Sequence, residues 1–177
     1  MIYLNEYSSP LGIITTADNK EALCGLWFNG QSHFANVLPN DCVYEKTKIF
    51  SETKKWLDVY FSGKEPDFTP TLSYGNTPFR KKVCDIMLKI PYGETVTYND
   101  IAKEIAGGSG KMSAQAVGGA VGHNPISIII PCHRVVGVKG NLTGYGGGLE
   151  RKVELLKLEG MDMDRFFLPK KREKERG

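Results

Sequence analysis

The run Ile128-Ile129-Ile130-Pro131-Cys132-His133-Arg134-Val135-Val136 constrains this chain more than any other stretch. Three consecutive β-branched residues predict an extended, buried segment, and Pro131 keeps the residue before it out of the helical region. An apolar strand that stops at Cys132 presents a thiol at its end, with His133 beside it and Arg134 following. The thiolate is the nucleophilic form, and a neighbouring His or Arg lowers a cysteine pKa from about 8.5 towards neutrality. These residue types therefore form a reactive-cysteine constellation. The same pair also fits an inert core cysteine, because free Cys is among the most buried residue types and strand neighbours face opposite ways.

With 177 residues, 41% of them hydrophobic and 24% charged, the chain has enough material for one large domain or two small ones. A net charge of +3 is too slight to imply nucleic acid by itself. The basic stretch Lys170 to Arg176 reads as a solvated terminus. Cys24, Cys42, Cys84 and Cys132 are widely spaced and form no CxxC pair, so neither a disulfide framework nor a metal site is expected. That usage fits a reducing cytosol. No membrane-length segment and no leader pattern occur, and a cytoplasmic protein without a membrane partner is expected.

Along the chain, residues 1 to about 45 read as strands and turns, with Ser8 to Gly12 as a turn. Ile13 to Ala17 and Leu23 to Phe28 are the strand-like runs, the second followed by Asn29-Gly30. From Lys46 the period changes: Ile49, Phe50, Leu57, Tyr60 and Phe61 recur at helical spacing until Gly63. This first part carries no clustered acid, base or nucleophile. It reads as a structural α+β domain over 1–75, joined through Asp67 to Asn76 to a mainly helical domain over 76–165, with 166–177 as a flexible basic tail.

Pro78 opens a helix whose stripe is Phe79, Val83, Met87 and Ile90. Thr97 and Asp100 predict a capped start for a helix over Tyr98 to about Ala106. After the turn Gly107 to Met112, Ser113 caps a third helix that ends near Gly122. Two short helices around a glycine-containing turn make a helix-turn-helix candidate. Gly118 and Gly119 each cost about 1 kcal/mol against Ala inside a helix. Close packing against another helix explains them, and so does a nucleic-acid backbone approaching from outside. The segment Gly137 to Gly148 lacks phosphate-loop spacing and reads as a flexible loop over a pocket. A last helix runs from about Leu149 to Leu158, with Val153, Leu155 and Leu156 inward and Gly160 as its stop.

Taken together, Pro131-Cys132-His133-Arg134-Val135, Ala116-Val117-Gly118-Gly119-Ala120, Asn124-Pro125 and Tyr145-Gly146-Gly147-Gly148-Leu149 resemble the O6-alkylguanine-DNA alkyltransferases. The resemblance is dense from Pro78 to Gly160 and thinner before it, where Ser9-Pro10-Leu11-Gly12 fits the family's opening turn. It implies a ribonuclease-H-like fold for the α+β domain and a helix-turn-helix in the second. It also implies irreversible, cofactor-free, single-turnover transfer of an alkyl group from O6-alkylguanine in double-stranded DNA to Cys132, with O4-alkylthymine as a further candidate substrate. The base must leave the duplex, because its O6 substituent is unreachable while stacked.

Carried over by position, His133 is the base acting on the thiol through a water and Glu159 orients it. Tyr98 turns the target phosphate and contacts the flipped base, and Lys152 and Tyr98 both help the guanine depart. Val135, Tyr145, Gly146 and Gly147 form the base pocket, the Val135 N–H and C=O and the Cys132 carbonyl holding the guanine edge. Asn124 ties the helix-turn-helix to the active-site segment. Gln115, Ala116, Gly118 and Gly119 lie at the minor groove, and Arg134 either joins them at the DNA or bridges strand and helix. Lys103 and Lys111 are further phosphate contacts. A monomer is expected.

One position departs from the family: Gln115 stands where an intercalating arginine is usual. Glutamine keeps a planar amide but lacks the charge and stacking plane of guanidinium. The same residues admit three other readings. A lesion-binding relative lacking the acceptor is opposed by Cys132. A helix-turn-helix regulator is opposed by the absence of Arg, Asn or Lys base readers in Ala114 to Gly122. A cysteine hydrolase has no further histidine suitably placed.

Overall fold

The strand-forming runs at the N-terminus close into a mixed sheet. The structure, a computed structural model, describes residues 1–31, 38–107 and 112–168. β1 (Tyr3–Ser9) and β2 (Gly12–Asp18) form a hairpin in which Ser9 faces Gly12, and β3 (Leu23–Phe28) pairs with β2. β4 (Val43–Tyr44) joins β1 in parallel, so the order is β3-β2-β1-β4. Ile14, Leu26 and Phe28 are fully buried on the face that receives the first helix.

That helix, α1 (Lys48–Phe61), buries Ile49, Phe50, Thr53, Trp56, Leu57 and Tyr60. Its start is fixed to the sheet. Thr47 Oγ1 accepts the Phe50 N–H at 3.0 Å and donates to Asp18 Oδ2 at 2.6 Å, both groups being buried. Ser62 caps the other end. The loop that follows returns to the sheet, with Leu23 N–H donating to the Thr71 carbonyl and Ser73 N–H to that of Leu23, both at 2.8 Å.

The second part is helical. α2 (Pro78–Leu88) begins with Pro78 behind the Thr77 cap, where a missing N–H costs nothing. β5 (Val96–Thr97) leads into α3 (Tyr98–Ala106), whose Thr97–Asp100 capping box is formed from both sides. Gly107 ends α3 at φ 60°, and the rest of the expected turn up to Lys111 lies outside the described residues. α4 (Ala114–Gly122) starts on Ser113, whose hydroxyl accepts from Gln115 and Ala116, and it packs on α2 and α3. β6 (Val135–Val136) pairs in parallel with β5, and α5 (Leu149–Leu158) completes the order. One apolar cluster runs through both parts, from Tyr7, Ile14 and Leu57 to Met87, Val117, Ile130 and Leu155.

Two expectations are corrected. Ile128 to Ile130 do not form a strand: after Ile126 bridges to Leu26 the chain turns, with Ile128 at φ 70°. The three side chains are buried at 1%, 6% and 0% exposure, so the apolar run marks surroundings closed on every side rather than an extended backbone. Phe166 and Phe167 do not belong to a free tail. Phe166 packs with Val136, Leu142, Leu156 and Met161, and Phe167 exchanges backbone hydrogen bonds with Gly140 and Leu142. The basic residues from Lys170 onward lie outside the described residues.

Because Thr47 both caps α1 and satisfies a buried carboxylate, Thr47→Val is expected to cost about 1–2 kcal/mol. Thermal unfolding should show a midpoint lowered by several degrees. An unchanged midpoint would mean that α1 is held by its apolar face alone.

Candidate active site

Cys132 is the first residue of a 3-10 turn, Cys132–Arg134, lying between Pro131 and β6. Its placement starts from the preceding turn. Asn124, buried at the end of α4, donates through Nδ2 to the Ile130 carbonyl at 2.8 Å and accepts the Ile126 N–H at 3.0 Å. The Cys132 N–H then donates to the Ile130 carbonyl at 2.8 Å. The side chain expected to tie α4 to the cysteine segment does so through these contacts. A tight turn, unlike a strand, sends three successive side chains in three directions, and each of Cys132, His133 and Arg134 is buried.

Four donors converge on Glu159, just past the end of α5. His133 Nε2 bonds Oε2, and the Tyr60 hydroxyl donates to the same oxygen at 2.7 Å. Arg134 Nε donates to Oε1 at 2.8 Å and the Gly93 N–H to Oε1 at 3.0 Å. Burial alone would push the Glu159 carboxyl up, but hydrogen bonds and charge from His133 and Arg134 outweigh it and hold the group at about 2. Glu159 is thus an ionised, acceptor-only group, which requires His133 to carry its proton on Nε2. Burial pushes the imidazole down, against the upward pull of Glu159, so the ring is neutral. Among the described residues its Nδ1 has no hydrogen-bond partner, and it is the nitrogen able to accept a proton.

The thiol corrects an expectation. Burial pushes Cys132 up, while the Asn124 amide and the Lys152 charge pull it the other way without prevailing. Neither neighbouring side chain lowers it by its charge: Arg134 is committed to Glu159 and to the Ile90 carbonyl at 2.8 Å, and His133 is neutral. Cys132 is therefore a protonated thiol at rest beside a base, rather than a standing thiolate. Arg134, considered for DNA contact, is corrected to the bridging role, since its guanidinium is held inside and lies over the Tyr92 ring.

Lys152 projects inward from α5 and is fully buried. Its Nζ donates to the Val135 carbonyl at 2.6 Å and the Thr143 carbonyl at 2.9 Å, leaving one of three donor positions open. Burial lowers its pKa to about 8, against the opposing pull of Cys132. The Val135 N–H donates to the Cys132 carbonyl, which corrects the expectation that this N–H is open to a base.

A pocket of about 590 Å³ opens beside these groups. Its wall comprises Tyr98 from α3, Ala114, Gln115, Gly118 and Gly122 from α4, and Thr143 to Gly146 from the glycine-rich loop. Tyr98 and Tyr145 lie within electrostatic reach of Cys132. The Tyr98 hydroxyl donates to the Thr143 carbonyl at 3.1 Å, so the loop is tied to α3 as well as to Lys152. Gly147 and Val135, expected in the pocket, are not in its wall. A Cβ on Gly147 would fall 2.8 Å from the Tyr145 ring and 3.1 Å from Phe28, so Gly147 lets the wall close against the sheet. Arg151 fastens the same junction, donating to the Leu11 carbonyl at 2.9 Å and the Gly147 carbonyl at 3.1 Å.

The glycines of α4 behave differently. Among the described residues, a Cβ on Gly119 or Gly122 would meet nothing within 4 Å, and one on Gly118 only Tyr98 at 3.9 Å. Packing inside the protein therefore does not account for them. Gln115, Ala116 and Gly119 are exposed, and so is Lys103, whereas Lys111 lies outside the described residues.

Sequence reasoning missed Tyr60, the Gly93 N–H and the carbonyls of Ile90 and Thr143. Tyr60 looked like one more apolar position of α1, and its partners lie 73 and 99 residues away, so no local pattern marks it. Among the described residues no group of three His, Cys, Asp or Glu could hold a metal ion, and no helix is long and apolar enough to cross a membrane.

Known proteins resemble this chain in sequence and fold. Family models match residues 2–74 as the ribonuclease-like domain, and residues 78–161 as the DNA binding domain, of 6-O-methylguanine DNA methyltransferase. The methylated-DNA–protein-cysteine methyltransferase of Methanosarcina acetivorans is 42% identical over 159 residues, covering 90% of this chain and 99% of that protein. That of Methanosarcina barkeri is 46% identical over 160 residues, covering 89% and 97%. Among solved structures, the Mycobacterium tuberculosis O6-methylguanine methyltransferase aligns with TM-score 0.78 at 40% identity, covering 90% and 93% of the two chains. The M. tuberculosis OGT in complex with DNA aligns with TM-score 0.79 at 38% identity, covering 93% and 94%. With its two parts matched in order and relatives of this identity along nearly their whole length, the chain belongs to the 6-O-methylguanine DNA methyltransferase family.

Proposed function

We propose that this protein repairs DNA by direct reversal, taking the alkyl group of an O6-alkylguanine onto Cys132. The observation that carries the reading is the neutral His133, held by Glu159 through Nε2 with Nδ1 open, in the residue after a buried thiol. In this reading the Cys132 proton passes to His133 Nδ1, by way of a water. The thiolate attacks the alkyl carbon, the S–C bond forms as the C–O6 bond breaks, and the guanine leaves with its electron pair on oxygen. Lys152, with one donor position open, supplies positive charge and a proton towards the departing base. The thioether product has no route back to a thiol, so each molecule acts once.

The same reading places α3 and α4 as a helix-turn-helix with α4 in the minor groove. The open glycine face of α4 supports this, because a backbone without Cβ atoms allows a close approach from outside. The target base would leave the stack and enter the pocket between Tyr98 and Tyr145, with Gln115 at the gap left behind. A single chain suffices. Residues 1–75 form the supporting ribonuclease-like unit and residues from 76 the reacting one, which extends at least to Phe167 through its pairing with Gly140 and Leu142. A lesion-binding protein without transfer is the second reading, and Cys132 stands against it.

Incubation with a duplex containing one O6-methylguanine should add a single methyl mass per molecule, absent in Cys132→Ser. Tight binding of both proteins without a mass change would overturn transfer and leave recognition. The pH dependence follows from the site. A neutral base whose pKa lies below the usual 6.5 keeps the single-turnover rate high on the acid side, and loss of the Lys152 proton near 8 lowers it on the alkaline side. A rate still level at pH 9 would remove Lys152 as proton donor. Gln115→Arg should strengthen DNA binding and speed repair by several-fold, since guanidinium adds charge and a stacking plane. Unchanged affinity and rate would place residue 115 outside the DNA contact.

A further inference from the structure

The two oxygens of Glu159 are used differently. Oε1 receives Arg134 and the Gly93 N–H, a full charge and a backbone dipole. Among the described residues Oε2 receives only His133 and the Tyr60 hydroxyl. Tyr60 comes from α1, in the part of the chain that otherwise supplies no group to the reacting cluster. We propose that Tyr60 is a positioning residue for proton transfer: its hydroxyl takes up part of the charge on Glu159 Oε2, which keeps His133 neutral and its Nδ1 open to the Cys132 proton.

A carboxylate oxygen shared between two donors is a weaker acceptor for each of them. Without the Tyr60 donor, the charge on Oε2 would fall on His133 alone and stabilise the imidazolium. An imidazolium carries protons on both nitrogens and cannot serve as the base. The hydroxyl oxygen also lies 3.3 Å from His133 Nε2, so Tyr60 braces the ring it acts upon. The phenol is immobilised for this task. It is fully buried, stacked on Trp56 at 5.2 Å and met edge-on by Phe61 at 5.4 Å and Tyr92 at 6.3 Å. Burial, followed by Glu159, pushes its pKa well above the ordinary tyrosine value, so it remains a donor throughout the working range.

The other charged or titratable groups that face His133 are Glu159 and Lys152 from α5 and Arg134 from its own turn. Both cations oppose protonation of the ring through space. Tyr60 acts instead through the oxygen that holds the ring. It also gives the sheet-bearing part of the molecule a stake in the chemistry, because α1 is fixed to that sheet at Thr47.

The inference rests on His133 as the base of the transfer reaction, and its test separates the two. Tyr60→Phe removes the hydroxyl and keeps the ring stack. The His133 titration is followed by NMR in the DNA-free protein, which requires no activity, and the single-turnover rate is measured against pH. The expected result is a His133 midpoint raised by about half a pH unit or more, with the acid limb of the rate profile moving up by the same amount. DNA affinity should be unchanged. A midpoint that stays in place or falls overturns the proposal, whatever happens to the rate. Site-specific 3-fluorotyrosine at position 60, a stronger donor of nearly the same shape, should lower the midpoint, and it decides the matter if Tyr60→Phe does not fold. If the wild-type protein gains no methyl, the repair reading fails while the titration still tests the Tyr60–Glu159–His133 coupling.

Discussion

The buried carboxylate of Glu159 is the interaction on which the rest of the site depends. It ties together α1 through Tyr60, the loop after α2 through Gly93, the cysteine turn through His133 and Arg134, and α5 through its own backbone. Taking a carboxylate out of water is costly, and the cost is met only when the charge is opposed and its lone pairs are filled. Here Arg134 supplies the charge and three further donors supply the hydrogen bonds. The arrangement is cooperative in a demanding sense, because removal of Glu159 would strand a buried guanidinium and leave His133 without the group that sets its tautomer. Arg134 is thereby explained as a structural cation. Its second bond, to the Ile90 carbonyl, satisfies the chain just beyond α2.

This electrostatic frame makes the cysteine quiet until it is used. Burial keeps Cys132 protonated and keeps His133 neutral, so neither group carries charge at rest. In the proposed reaction, moving one proton between them creates a thiolate and an imidazolium together, with Lys152 on the thiolate side and Glu159 on the imidazolium side. In a weakly polar interior such preplaced charges stabilise the separated pair more than water would. A thiol that can react only once gains from being unreactive towards everything else, and a high resting pKa provides that protection.

α4 is a helix built against its own propensity. Gly118 and Gly119 together cost about 2 kcal/mol relative to Ala, and nothing among the described residues requires either of them. The helix persists because Ser113 caps its first turn and because Val117, Ala120 and Val121 are buried against α2 and α3. Its inner face holds the fold, which leaves the outer face bare. Asn124, at the end of this helix, then couples its position to the backbone just before Cys132.

Much of this was legible in the amino-acid order. Local signals placed the helix starts, because a cap such as Thr97 with Asp100, or Pro78 after Thr77, acts within four residues of itself. The Pro131-Cys132-His133-Arg134-Val135 block, with its flanks, was enough to name the family, and it pointed to Cys132, His133, Glu159 and Lys152. What the order of residues could not convey was how charge is distributed among them. Adjacency made Arg134 and His133 look like groups that lower the thiol pKa, whereas the fold commits one to Glu159 and leaves the other neutral. The three isoleucines signalled burial but not backbone shape, because a fully enclosed turn and a fully enclosed strand demand the same apolar side chains. Tyr60 reached the reacting groups only through tertiary structure. A hydrogen bond spanning 99 residues leaves no periodicity to read, and only the tertiary fold brings its two ends within 2.7 Å.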